Sequence, residues 1–145
     1  MSDSRYLIPA LEPVYTKLEP FILPLLRVTC GGMLISHGWG KLFGGLEGTA
    51  GFLASAGYEP AMVWAIVVAL TETVGGAFLV VGLLTRPAAF AVVIFMINAF
   101  MFHWPAWIWL DRGVEMPLLW GIVALVFVIK GGGAYSVDSR LAKEI

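Results

Sequence analysis

Charge is what this sequence has least of. Of its 145 residues only 13% are Asp, Glu, Lys or Arg, 59% are hydrophobic, and the mean hydropathy is +0.87. A soluble domain carries roughly 25% charged residues, so this chain cannot clothe its surface in polar groups, and its solvent must be largely lipid. A basic excess is also missing. The net charge of -1 excludes a nucleic-acid partner, because phosphate binding needs a basic face. Cysteine is nearly absent: Cys30 alone allows no intrachain disulfide and no cysteine-rich zinc or iron–sulfur site, and in its apolar run it reads as a small packing residue. There is no nucleotide fingerprint, no CxxC, no internal repeat and no low-complexity tract. The opening stretch, "MSDSRYLIPALEPVYTKLEP", lacks a continuous apolar core, so it is not read as a signal peptide. It reads as a polar arm over residues 1–20, lying along the membrane surface.

What is present is a set of four apolar runs. Crossing the hydrocarbon takes about 20 apolar residues, and four segments come close: about 21–42, 61–84, 87–104 and 114–129. The last is short, but Pro117 in its first turn suits a helix start. The runs are continuous rather than alternating, which disfavours a barrel. The predicted fold is therefore an all-α membrane protein, a four-transmembrane-helix bundle over residues 21–130 with a tail at 131–145. A short interfacial helix, Thr49 to Ala56, closed by Gly57, is expected in the first loop.

Four crossings place both termini on one side. That side holds Arg5, Lys17, Arg86, Lys130, Arg140 and Lys143, the other Lys41 and Arg112, so the positive-inside bias puts both termini in the cytoplasm. HGWGKL (residues 37–42), the first loop and "HWPAWIWLDRGVE" then face the periplasm of a bacterial inner membrane. Trp39, Trp64, Trp104, Trp107 and Trp109 crowd that face as an aromatic belt.

An ionisable group inside a span is expensive and suggests function. Arg27 lies about 10 Å from the cytoplasmic end of the first helix on a rise of 1.5 Å per residue. Glu72 and Asn98 fall near the middle of the second and third helices. His37, Lys41, His103 and Glu115 gather at the opposite rim. Glu72 shares a face with Gly75 and Gly76, where helices approach closely, so it is expected to face the bundle interior. Each group also has a structural reading: Arg27 and Glu72 as a buried pair joining the first two helices, His37 and Lys41 as snorkelling groups, His103 as a hydrogen-bonded rim histidine, Asn98 as interhelical glue, and Glu115 as a carboxylate at a helix N-terminus. His37 and His103 share a depth, and a facing pair with Glu115 would make a His-His-carboxylate set. Lys41 beside them repels a cation, and bulky Phe100, Phe102 and Trp104 crowd a haem gap, so no metal or haem is expected.

Five stretches together resemble the DoxX family: "LLRVTCGGMLISHGWGKLFGG" its first helix, "FLASAGYEP" the loop that follows, "LTETVGGAFLVVGLLTRPAAF" its second helix, "FHWPAWIWLDRGVEMPLLW" its His…Gly-x-Glu segment, and "GGGAYSVDSRL" its closing tail. The resemblance covers about residues 21 to 141 and implies a four-helix inner-membrane protein. Some members are membrane subunits of quinone-reducing oxidoreductases such as thiosulfate:quinone oxidoreductase, and others belong to redox-defence assemblies. The family's polar positions fall on Arg27, His37, Lys41, Glu72, His103 and Glu115.

The expectation is thus a membrane subunit of a redox complex that binds a quinone, or another small lipophilic ligand, between helices. Glu72, His103 and Glu115 are the candidate proton-handling groups, and Arg27, His37, Lys41 and Asn98 the candidate ligand-binding ones. Electrons would come from partner subunits, and a homo-oligomer is a further option. The alternative is a non-catalytic scaffold or accessory subunit whose charges only hold the bundle together. A small transporter ranks last, for want of an internal repeat or a broken helix pair.

Overall fold

The chain is seen here in a computed structural model that describes residues 6–106 and 113–141. Within these residues every regular element is helical. A 3-10 turn, Pro9–Leu11, leads into α1 (Glu12–Leu42), followed by α2 (Leu46–Ser55) and α3 (Ala61–Leu70). A π turn (Thr71–Gly75) joins α3 to α4 (Gly76–Val81), so that the two form one rod. After them come α5 (Thr85–His103), α6 (Glu115–Lys130) and a closing 3-10 turn, Asp138–Arg140.

The boundaries follow local chemistry. Gly82 (φ 71°) and Gly131 (φ 73°) end α4 and α6 with backbone angles open to glycine at little cost. Pro117 sits in the first turn of α6, where its missing N–H is harmless. α1 starts at Glu12, not Phe21, and runs 31 residues through Pro20 and Pro24. At 1.5 Å per residue that is about 46 Å, longer than the roughly 30 Å of a hydrocarbon core. A helix does occupy the first loop, as Leu46–Ser55, with Gly57 just beyond it.

Three helical segments, Pro9–Leu42, Ala61–Val81 and Thr85–His103, are long and apolar enough to cross a membrane. α6 has 16 residues, short of a full span. Leu25, Ile97, Met101, Ile122 and Ile129 point outward, as on a surface made for lipid. Trp39, Trp64 and Trp104 are exposed as well. Trp107, Trp109 and Arg112 lie outside the described residues.

The interior is thin. Leu34, Leu79, Val92, Met96, Ala124 and Phe127 form its centre. Between helices in lipid, burial of apolar surface drives little, so association relies on close packing. The clearest case is Gly31 against Gly76: a Cβ on Gly31 would stand 2.5 Å from the Gly76 carbonyl oxygen. α1 and α4 therefore touch backbone to backbone, and alanine at either glycine would push them apart.

Candidate functional site

Glu72 faces the bundle interior as expected, but its partner is not Arg27. The ammonium of Lys41 donates to both carboxylate oxygens, at 2.6 Å (Oε1) and 2.5 Å (Oε2). The Glu72 side chain is 4% exposed and that of Lys41 32%. Glu72 rides on the π turn, an uncommon form that recurs at functional sites. Gly38, one turn before Lys41, seats that turn: a Cβ there would come within 2.5 Å of Thr73 Oγ1 and 2.7 Å of Glu72 Cβ. The absence of a side chain at residue 38 thus lets α1 approach closely enough for the pair to form.

Arg27 serves the other end of the molecule. Its guanidinium is 2% exposed and donates to three carbonyls: Leu79 (2.7 Å) and Val80 (3.0 Å) from Nη1, and Tyr135 (2.8 Å) from Nη2. The first two belong to the last turn of α4, whose carbonyls lack helical partners. The third lies in the tail, which folds back over the same spot. There Asp138 accepts the backbone N–H groups of Leu84 and Thr85, both at 2.8 Å, capping α5 from 53 residues away. This contact holds Leu84 in the left-handed region (φ 48°), a costly place for a leucine. Burial alone would raise the Asp138 carboxyl, but the Thr85 side chain, the two N–H groups and the Arg27 charge outweigh it and hold the group below the usual carboxylate range.

Beside Lys41 lies a cavity of about 440 Å³, within the 300–1,000 Å³ range of small-molecule sites. α2 lines it with Thr49, Phe52 and Leu53, and α3 with Trp64, Val67 and Val68. α5 supplies Ala91, Ile94, Phe95, Asn98, Phe102 and His103, with Tyr58 and Thr71 completing the wall. The lining is apolar, with a few polar groups aimed in, as ligand sites usually are. Tyr58 donates to Asn98 Oδ1 at 3.4 Å, and Asn98 Nδ2 donates to the Ile94 carbonyl at 2.8 Å. An ammonium has three hydrogens. Two of Lys41's are engaged by Glu72, which leaves one for a ligand acceptor.

Of the candidates read from sequence, the cavity therefore gathers Lys41, Asn98 and His103, with Glu72 behind Lys41. It does not gather Arg27, His37 or Glu115. His37 is exposed on α1 with its ring edge toward Trp120 of α6, centroids 6.1 Å apart. The His103 ring lies against Phe102. The two histidines thus do not line one cavity, and no group of three metal-ligating side chains assembles among the described residues. Glu115 begins α6 and lies outside the lining. Sequence reasoning missed Tyr58, Trp64 and Thr71. Tyr58 had a signal, a lone hydroxyl aromatic directly after the helix-closing Gly57.

The DoxX family profile matches residues 22–104. The chain is 31% identical over 133 residues to an uncharacterized protein of Haemophilus influenzae, covering 88% of this chain and 96% of that one. It is 31% identical over 134 residues to the inner membrane protein YqjF of Escherichia coli, with 88% and 98% covered. With the inner membrane protein YphA of the same organism it shares 27% over 129 residues, with 84% and 91% covered. No solved structure matches the chain. On the profile match and on relatives aligned over nearly their whole length, the chain belongs to the DoxX family.

Proposed function

We propose that this is a bacterial inner-membrane protein of four crossings, both termini cytoplasmic, that binds a quinone or another small lipophilic molecule as the membrane subunit of a redox complex. The observation that carries the reading is the cavity of about 440 Å³ with a charge-neutral Lys41–Glu72 pair at its edge. A neutral pair suits a neutral ligand, since a lone buried charge would demand a counter-charge. The cavity's own groups fit a carbonyl-bearing ring: one Lys41 hydrogen on one side, and on the other Asn98 and His103 beside aromatic walls. A quinone, when bound, would supply the capacity to take up two electrons and two protons. The chain's part is to exclude water with Phe52, Trp64, Phe95 and Phe102, to orient a carbonyl with Lys41, and to relay protons through Glu72, whose carboxylate takes up a proton and passes it on. Electrons come from a partner subunit.

The test is tryptophan quenching by decylbenzoquinone in detergent. Saturable quenching is expected, with affinity falling about tenfold or more when the pair is removed together as Lys41→Met with Glu72→Gln. Unaltered binding in the double variant would remove the pair from the site. The scaffold reading is favoured by one feature, the use of Arg27 wholly as a tie between backbone carbonyls. It gains if the double variant folds and assembles normally and neither it nor the natural chain takes up the quinone. Topology is checked separately: a reporter at the C-terminus should be cytoplasmic and one after Gly45 periplasmic.

A further inference from the structure

α2 joins its neighbours through glycines that are free to turn. Gly44 (φ 137°) precedes it and Gly57 (φ 85°) follows it, and a Cβ at either would meet nothing within 4 Å. Both positions combine left-handed backbone angles with open space, which is what a hinge needs. Between the hinges α2 carries Phe52 and Leu53 into the cavity wall. α2 lies alongside α3, while across the cavity it reaches α5 through side chains. The Phe52 ring meets Phe102 edge-on with centroids 5.0 Å apart. Just past the second hinge, Tyr58 makes its 3.4 Å bond to Asn98, at the long limit for such a contact. Phe52 and Phe102 are both exposed on their outer side, so the ring pair stands between the cavity and the surroundings.

We infer that α2 is a lid: it tilts along α3 on Gly44 and Gly57, parts Phe52 from Phe102 and Tyr58 from Asn98, and opens the cavity sideways between α2 and α5. This rests on the ligand-binding reading above and adds the route. Both rings are exposed and apolar, which suits an opening toward lipid and a ligand dissolved in the bilayer rather than a solute from water. An edge-to-face aromatic pair adds a modest attraction beyond its buried area, which biases the lid shut without locking it.

The single cysteine, Cys30, is buried, which makes a thiol test clean. In a Cys30→Ala background, Phe52→Cys and Phe102→Cys are joined by a short reversible bis-methanethiosulfonate reagent in detergent. Joined before decylbenzoquinone is added, the pair should slow its entry by about tenfold or more. Joined after loading, it should retain the quinone through washing until dithiothreitol is added. Each single-cysteine variant should exchange quinone at the same rate with the reagent as without it. As a second measure without cross-linking, Phe52→Leu should speed entry and exit together. Exchange at the control rate in the joined pair, or unchanged rates in Phe52→Leu, would overturn the lid while leaving the cavity as a binding site. If untreated protein takes up no decylbenzoquinone, the binding reading fails and the lid with it.

Discussion

Arg27 and Lys41 sit on the same helix, about 40° apart around its axis at 100° per residue, yet the two ends of the bundle use their cations differently. Arg27 is wholly enclosed, and the bonds it makes go to backbone carbonyls of α4 and the tail. Lys41 is a third exposed, holds one carboxylate and borders a cavity. The chemistry of the two side chains matches these tasks. A planar guanidinium with five fixed donors can tie several carbonyls at once, whereas an ammonium is a compact, mobile charge that can let go of one partner for another. One end is built to stay shut and the other to exchange, and this contrast can be tested at four points.

The largest effect is expected at Arg27. Arg27→Met strips three carbonyls, one buried and two partly buried, of their donor, and because hydrogen bonds to charged groups contribute about 1.5–3 kcal/mol each, a loss of about 3 kcal/mol or more in thermal unfolding is expected. Arg27→Lys should recover little of it. A full rescue by lysine would show that charge, not the fork, holds this end together.

Next comes the cavity pair, where the two single variants should differ. Lys41→Met leaves a buried carboxylate with no counter-charge, a loss of the order of 3 kcal/mol. Glu72→Gln leaves a lysine that can snorkel to the rim and should cost about 1 kcal/mol. Equal losses would mean that the lysine is as trapped as the arginine, and the contrast between the ends would fail.

Asp138→Ala removes the cap on α5 and the support for Leu84, and should cost about 1–2 kcal/mol, the usual range for such caps. The carboxyl is held below its ordinary value. Its contribution is therefore fully present above about pH 4, where an unfolded aspartate is ionised, and is lost as pH falls through the lower folded value. The natural chain should show an acid limb in its stability profile that Asp138→Ala lacks. Smallest of all, His37→Ala should stay within about 0.5 kcal/mol and leave quinone uptake unchanged, whereas His103→Ala should weaken uptake. The reverse ranking would move the site from the α2–α5 side of the bundle to the α1–α6 side.

Much of this was readable from residue order, and the misses have physical causes. Continuous apolar runs cut by Gly82, Gly131 and Pro117 place α3–α4, α5 and α6 within a few residues. The small residues next to Glu72 point it inward correctly. The choice of its partner fails on depth rather than azimuth: Arg27 and Lys41 share a face of α1, and a glutamate placed only near the middle of its rod lies between the two. What decides between them is Gly38 pressed against a π turn, and nothing in the composition of "TETVG" announces that turn. The start of α1 is misplaced because Pro13 and Pro20, which read as breakers, are accommodated in the helix. The tail's role is hidden for another reason: Asp138 acts through two bonds to backbone N–H groups distant in sequence, without any periodicity.

The Tyr135 carbonyl that accepts from Arg27 Nη2 lies 108 residues downstream of it, which gives the fold an order in time. During synthesis α1 is made early, and its buried cation lacks this bond until Tyr135 has emerged. A ribosome that stops before Tyr135 leaves a bundle with all its long helices and an open charged seam at one end. The tail is thus a late clasp on an end of the bundle that α1 leaves open.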